Sequence, residues 1–432
     1  MNYKDFFRNK RVAVIGLGPH GEMIADIKFL LRNKARVALY DMRSDKRLKG
    51  FLPELKEVGL ETYVFGKVPA EELVDAELII ISPELSKKSL FLKKATQAEI
   101  QIEYPDTLFF KLAPSVTLIG VMGLYGKSTV AHLIYHILKK AFADYEDQGL
   151  FFIDPESTNG ALTHLRKIKK GDVVLARIPD NLMQHYYDIH ISPHVAVITS
   201  HIPFDILEFQ TYNNFIVAPD SVVDAIKSQK NLSSKAKILR TRSSSIPPDW
   251  NVKTKTIYDR ENGALALQTS ELFKVSPEIA KEVLQSFIGL KGRVELVKKV
   301  SGIEFYNDAS STVPQATISA LASLSSGKNI VLILGGAYTG HDYSDLVRNI
   351  SQYVSAIILL PGSGTLGLRS RLEELPEIDF VQVLSLEEAV REALDHAKKG
   401  EKVLFSPGFD AVGIDISRKE RGERFVKAVR SL

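Results

Sequence analysis

The chain has 432 residues, which at about 150 residues per domain allows two to four domains. Its 56 basic and 52 acidic residues leave a formal charge of +4, too small to mark a nucleic-acid or membrane-surface protein. Cysteine is absent, which excludes disulfides, thiolate chemistry and cysteine-ligated metals; with no long apolar run and no signal-type N-terminus, a cytoplasmic protein is expected.

Residues 11–15 read as a buried strand, followed by Gly16-Leu17-Gly18-Pro19-His20-Gly21 and a helix to about residue 31. A G-x-G-x-x-G run between strand and helix is the setting for a nucleotide's phosphates; an ordinary structural α/β turn is the alternative. A second strand over 36–40 ends in Asp41-Met42-Arg43. A carboxylate there reads a ribose hydroxyl or a base edge, and an arginine reaches a phosphate. Residues 77–81 predict a strand ending at Ser82-Pro83, then a polar helix over 84–98 and a short strand over 98–102. Leu112-Ala113-Pro114-Ser115 reads as a linker, so a first domain spans 1–112.

Residues 117–140, TLIGVMGLYGKSTVAHLIYHILKK, combine a strand, a glycine-bounded turn and an amphipathic helix. The turn Gly123-Leu124-Tyr125-Gly126 leads into Lys127-Ser128-Thr129. A helix N-terminus offers unpaired N–H groups to a phosphate, Lys127 adds a point charge, and Ser128 or Thr129 offers a hydroxyl to Mg2+. Val121 stands where the longer G-x-x-x-x-G-K-[ST] pattern has its first glycine, so the form is G-x-x-G-K-S-T. A plain β-α turn is the alternative.

Strands are expected over 150–153, 172–176 and 195–199, a pattern of parallel sheet with outer helices. The loops after them offer Arg177, Asp180, Thr199, Ser200, His201 and Asp205. Asp180 reads as a cap for a helix over 181–187, with an outer-sphere Mg2+ role as the alternative. His194 and His201 read as solvated or capping residues. Residues 228–245 read as a surface sheet edge and loop. A helix over 279–287 leads to a second boundary near residue 288.

Beyond it, strands are expected over 294–300 and 303–306. Asn307-Asp308-Ala309-Ser310-Ser311-Thr312 follows, and a helix opens at Pro314. Further strands over 330–334, 356–360, 381–384 and 403–405 mostly end in glycine or proline, the last at Ser406-Pro407-Gly408. Ser385 reads as a helix cap, and a charged helix runs over 417–429. The chain is therefore read as α/β throughout, with three domains in series.

Taken together, GLGPHG (16–21), YDMR (40–43), SP (82–83), GLYGKST (123–129), GRVE (292–295), NDASSTVPQAT (307–317), GGAYTGHDYSDL (335–346), SPGFDAVGID and RGERF resemble the Mur ligases over nearly the whole length. The likeness runs closest to the members that add D-glutamate. It implies a Rossmann-like first domain, a central P-loop ATPase-like domain over 113–288 and a Rossmann-like third domain over 289–432. It further implies an amide-bond ligase that uses ATP and Mg2+. A UDP-linked muramyl carboxylate is phosphorylated, and an amino acid attacks the acyl phosphate. The expected protein is a monomer in peptidoglycan precursor synthesis, with no nucleic-acid partner and no membrane insertion.

By the same resemblance, Gly16, Gly18, Gly21, Asp41, Arg43 and Ser82 hold the uridine nucleotide. Gly123, Gly126, Lys127, Ser128 and Thr129 hold ATP phosphates, with Lys127 and Ser128 catalytic and Ser128 on the metal. Arg293 and Asp308 meet the adenosine part, and Ser406 the D-glutamate carboxylate. The sequence also departs from the family. Arg177 stands where a magnesium-binding glutamate is expected, and Ser310 where a lysine is expected to meet the amino acid. Residues 199–204 and 212–215 replace the family's Asn-x-x-x-Asp-His run and its carbamylated lysine. A nucleotide-binding relative with weak or no turnover, or a ligase for another amino acid, is the alternative.

Overall fold

The computed structural model describes residues 2–144, 147–202, 204–229, 234–250, 252, 257–338, 340–374, 377–411 and 418–432. The expected helix start at Ser417, and the parts of two family-like runs at Thr339 and at 412–415, lie outside the described residues.

Three sheets follow one another along the chain. The first contains β1 (Arg11–Ile15), β2 (Arg36–Asp41), β3 (Thr62–Phe65), β4 (Leu78–Ile81) and β5 (Gln101–Glu103), in the order β3-β2-β1-β4-β5. All its pairings are parallel. β1 and β4 are almost wholly apolar and buried, as strands covered on both faces must be. β3 escaped the sequence reading because it is a short, half-exposed edge.

The second sheet contains β6 (Thr117–Met122), β7 (Leu150–Ile153), β8 (Val173–Arg177), β9 (Val195–Ile198), β10 (Phe215–Pro219) and β11 (Lys237–Thr241). Its order is β11-β10-β9-β6-β8-β7, again all parallel. β11 is the sheet edge expected within 228–245. The third sheet contains β12 (Glu295–Val300), β13 (Ile303–Asn307), β14 (Ile330–Leu334), β15 (Val354–Leu359), β16 (Asp379–Gln382) and β17 (Lys402–Phe405). Its order is β12-β13-β17-β14-β15-β16, with only β12 antiparallel. The tight Ser301-Gly302 turn, with φ of 50° and 85°, makes β12 and β13 a hairpin.

The polar helix expected over 84–98 is reduced to a 3-10 turn, Leu90–Leu92, and the helix Lys93–Gln97. Ser86 and Ser89 explain the difference. Lys88 N–H donates to Ser86 Oγ at 3.1 Å, and Ser89 Oγ donates to the Ser86 carbonyl at 2.6 Å. Such local bonds compete with the helical ladder. The strand expected from residue 98 begins only at Gln101, because Glu99 takes a φ of 56°. The helix after β8 starts at Asp180, with Pro179 at the cap position. Asp180 therefore lies inside the first turn, where its charge favours the helix dipole.

The first two sheets share one compact unit, Met1–Thr241 with Leu265–Ala280; a second unit comprises Arg242–Ala264 with Lys281–Leu432. One continuous apolar core runs through both sheets of the first unit. Buried polar contacts add to it. Leu162 N–H donates to Asp26 at 2.8 Å, and Tyr186 OH donates to Asp106 at 2.7 Å. Among the described residues, no helix is long and apolar enough to cross a membrane.

Candidate active site

In each sheet the strand order reverses beside a central strand, and in open parallel sheets the crevice at that reversal is where ligands bind. In the second sheet β6 lies between β8 and β9. The loops after these three strands therefore gather, and they carry Gly123–Gly126, Arg177–Asp180 and Thr199–Ser200.

Gly123 and Gly126 have φ of 142° and 83°, values that side chains strain to adopt. A Cβ on Gly123 would also overlap Thr199 Oγ1. Ser200 Oγ accepts from Leu124 N–H at 2.7 Å and Tyr125 N–H at 3.3 Å, while Thr199 Oγ1 bonds to the Tyr125 carbonyl. β9 thus shapes the turn that ends β6. Helix Lys127–Ala141 begins at once. Lys127 Nζ folds back over the turn, donating to the carbonyls of Gly123 and Leu124 and to Asp180 Oδ1 at 2.9 Å. Ser128 is buried and Thr129 half-buried in the first turn.

Arg177 ends β8 and is 4% exposed. Its Nε donates to Asp154 Oδ1 at 2.7 Å, and its Nη2 lies 2.7 Å from Asp154 and 3.0 Å from Glu156. Burial disfavours its charge, but Glu156 and Asp154 outweigh that and hold the guanidinium more firmly protonated than a free arginine. Asp154 and Glu156 follow β7 and were missed by sequence reasoning; the carboxylate spacing after an apolar strand was the available signal. Among the described residues no cluster of three or more His, Asp or Glu side chains can hold a metal. The donor set fits a magnesium ion carried in on nucleotide phosphates, taking a hydroxyl from Ser128 or Thr129, as such ions commonly bind. It does not fit a second ion caged by protein carboxylates.

In the first sheet the reversal lies between β1 and β4. Gly16, Gly18 and Gly21 all have φ near 80°, and Ser82 is buried where its N–H donates to the Ile15 carbonyl at 2.8 Å. Asp41 is 3% exposed. Its carboxylate accepts from Leu17 N–H at 2.9 Å and from Arg43 at 2.7 and 3.0 Å. Burial raises its pKa, but Arg43 and Leu17 pull it below the usual carboxylate range. Arg43 also donates to the Gly18 carbonyl at 3.0 Å. These residues brace the glycine loop as well as lining it. Beside the loop a small cleft is lined by Glu22, Asp26, Asp106, Asp154, Ser157 and His164 among others. Glu22, Asp26 and Asp106 were not anticipated as site residues; Glu22 alone had a signal, following the third glycine directly.

In the second unit the reversal gathers the ends of β13, β17 and β14. Asp308 is 3% exposed and Ser406 fully buried. Ser406 Oγ donates to Asp308 Oδ2 at 2.7 Å, and Val294 N–H donates to Asp308 Oδ1 at 3.2 Å. Burial pushes the Asp308 carboxyl up to about 6, against the pull of Ser311, Ser406 and the Arg293 charge. Two residues expected as separate ligand contacts are therefore bonded to each other beneath the surface. Arg421, 1% exposed, donates to the carbonyls of Ala309 at 3.1 Å and Phe409 at 3.2 Å, tying the last helix to both loops. Its place in the RGERF run was the signal that marked it.

Residues 10–103 match the model of the Mur ligase MurD-like N-terminal domain, and residues 292–409 that of the Mur ligase glutamate ligase domain. The chain is 27% identical to a UDP-N-acetylmuramoylalanine–D-glutamate ligase of Roseiflexus, with 98% of each chain covered. It is 28% identical to the protein of that name from Caldanaerobacter subterraneus, covering 98% of this chain and 99% of the relative. Among solved structures, a murein peptide ligase from Psychrobacter arcticus aligns with a TM-score of 0.60 at 13% identity, covering 98% of this chain and 99% of that one. The UDP-N-acetylmuramate-alanine ligase of Thermotoga maritima aligns with a TM-score of 0.60 at 15% identity and the same coverage. With both family models falling on the first and third sheets and the relatives matched over nearly their whole length, the chain belongs to the Mur ligase family.

Proposed function

We propose that this protein is an ATP-dependent acid–amino-acid ligase of peptidoglycan precursor synthesis, adding D-glutamate to UDP-N-acetylmuramoyl-L-alanine through an acyl phosphate. The observation that carries the reading is the Gly123–Gly126 turn, with Lys127 opening its helix where the strand order reverses. The two relatives matched over nearly their whole length are D-glutamate ligases by name, which supports the D-glutamate step. In this reading residues 1–112 hold the UDP-linked muramyl substrate, 113–288 hold ATP and Mg2+, and 289–432 hold the amino acid.

Lys127 exchanges Asp180 for a phosphate oxygen of ATP, and the first-turn N–H groups of its helix orient the phosphates. Ser128, with Thr129, presents a hydroxyl to the phosphate-bound magnesium, which when bound neutralises charge on the transferring phosphoryl group. Gly16, Gly18, Gly21, Asp41, Arg43 and Ser82 frame the uridine nucleotide. Arg293 is assigned to the adenosine part by the family resemblance. Asp308 and Ser406 act as one buried support for the amino-acid loops, in place of two separate contacts. The protein works as a cytoplasmic monomer.

The test is phosphate release from ATP with UDP-N-acetylmuramoyl-L-alanine and a panel of amino acids. Release with D-glutamate is expected, and no release with any amino acid would sink the ligase reading. Arg177 at the family's metal-carboxylate position favours a second reading, a nucleotide-binding relative without turnover. Calorimetry showing ATP binding in a sample that releases no phosphate would select it.

A further inference from the structure

Four amides of the first-sheet glycine loop are taken up by groups of the protein itself. Gly16 N–H donates to the Tyr40 carbonyl at 2.8 Å, Leu17 N–H to Asp41 at 2.9 Å, and Gly21 N–H to the Gly18 carbonyl at 3.3 Å. Pro19 has no N–H to offer. His20 N–H donates to Glu22 Oε2 at 2.8 Å. A Cβ on Gly18 would overlap the same Glu22 carboxylate, so that carboxylate lies tight against the loop at the place where a glycine allows close approach. In a strand–glycine loop–helix unit that place belongs to a diphosphate.

We propose that Glu22 is an internal anion seated in the loop's phosphate position, which a nucleotide diphosphate must displace in order to bind. The proposal rests on the reading of this loop as a nucleotide-sugar site.

The surrounding charges fit a competitor and not a passive neighbour. Glu22 is 7% exposed, so its carboxylate is held within the protein and away from bulk water. Burial and the Glu156 charge disfavour the ionised Glu22 carboxyl, while the His20 N–H and the Arg43 guanidinium favour it. Arg43 is itself engaged by Asp41 at two atoms. An incoming diphosphate therefore meets the Glu22 and Asp41 carboxylates and a cation already committed to Asp41. With Glu22 in place, repulsion and the occupied His20 amide both oppose binding. With Glu22 displaced, that amide is released to a phosphate oxygen. Glu22 also lines the adjoining cleft, so its side chain borders open space as well as the loop.

Calorimetric titration of UDP into the full chain and into Glu22→Ala and Glu22→Gln at one pH tests this. Both variants should bind UDP about tenfold tighter or more; Glu22→Gln keeps the side-chain shape and removes only the charge. It also covers the case in which the alanine variant folds poorly. Equal affinity in all three proteins, or weaker binding in the variants, overturns the proposal and leaves the nucleotide site standing. No binding of UDP or a UDP-sugar by any of three proteins with unchanged circular dichroism overturns the nucleotide reading, and the proposal with it.

Discussion

The Arg177 guanidinium, 4% exposed, lies 2.7 Å from Asp154 at the end of the neighbouring strand. Removing one member of a buried ion pair leaves the other uncompensated and costs about 3 kcal/mol or more. Arg177→Ala should therefore lower stability by about that amount in urea denaturation. Arg177→Glu should be worse still, because it places a third carboxylate beside Asp154 and Glu156. If Arg177→Glu is as stable as the parent, the pair is not the structural tie described here.

The Lys127–Asp180 bond at 2.9 Å sets up a second expectation. Asp180 is 42% exposed on its side chain, so solvent limits the bond to about 1 kcal/mol. Asp180→Ala should tighten ATP binding no more than about fivefold. Lys127→Ala should weaken it by far more, since the phosphates lose their point charge. Isothermal titration with ATP measures both, and an unchanged affinity in Lys127→Ala would refute the phosphate role of the lysine.

Most strands were legible because each is a short apolar run closed by glycine, proline or serine. β7 over Leu150–Ile153 and the helix at Pro314 were placed to the residue. The edge strand β3 was not, since its half-exposed TYVF carries neither a full apolar run nor a clear alternation. The glycine turns at Gly16–Gly21 and Gly123–Gly126 could be read because positive φ needs glycine. The partners of their side chains could not. Arg177 meets Asp154 across a strand pair, and Ser406 meets Asp308 across 98 positions of chain. Such contacts are set by strand order, and strand order was not derivable from local pattern.

Asp26 gives a pH expectation. Burial raises its carboxyl from 3.8 to about 7, against the donating N–H groups of Leu162 and Ala161. A raised folded pKa means the folded state holds the proton more tightly. The contribution to stability is complete below the unfolded pKa of 3.8 and is lost as pH rises through about 7. Asp26→Asn keeps an acceptor for Leu162 N–H and removes the titration. Its thermal midpoint should exceed the parent's at pH 8 and show a flatter slope between pH 4 and 7. A parallel pair of melting curves against pH would contradict the assignment.

Ser406 and Asp308 supply the last expectation. Asp308 has a folded pKa of about 6 against an unfolded value of 3.8, so its contribution also falls as pH rises from about 4 through 6. Ser406 donates to the ionised carboxylate and holds that pKa down. Ser406→Ala deletes the donor while burial remains. The folded pKa should climb, the pH window of lost stability should extend above 6, and stability at pH 8 should fall by about 1–3 kcal/mol, the cost of an unsatisfied buried acceptor. Below pH 4, where Asp308 is protonated in both states, the deficit should shrink. A Ser406→Ala deficit that is constant from pH 4 to 8 would show that the hydroxyl acts by packing alone, and the buried pair would then have no electrostatic part in holding the ends of β13 and β17 together.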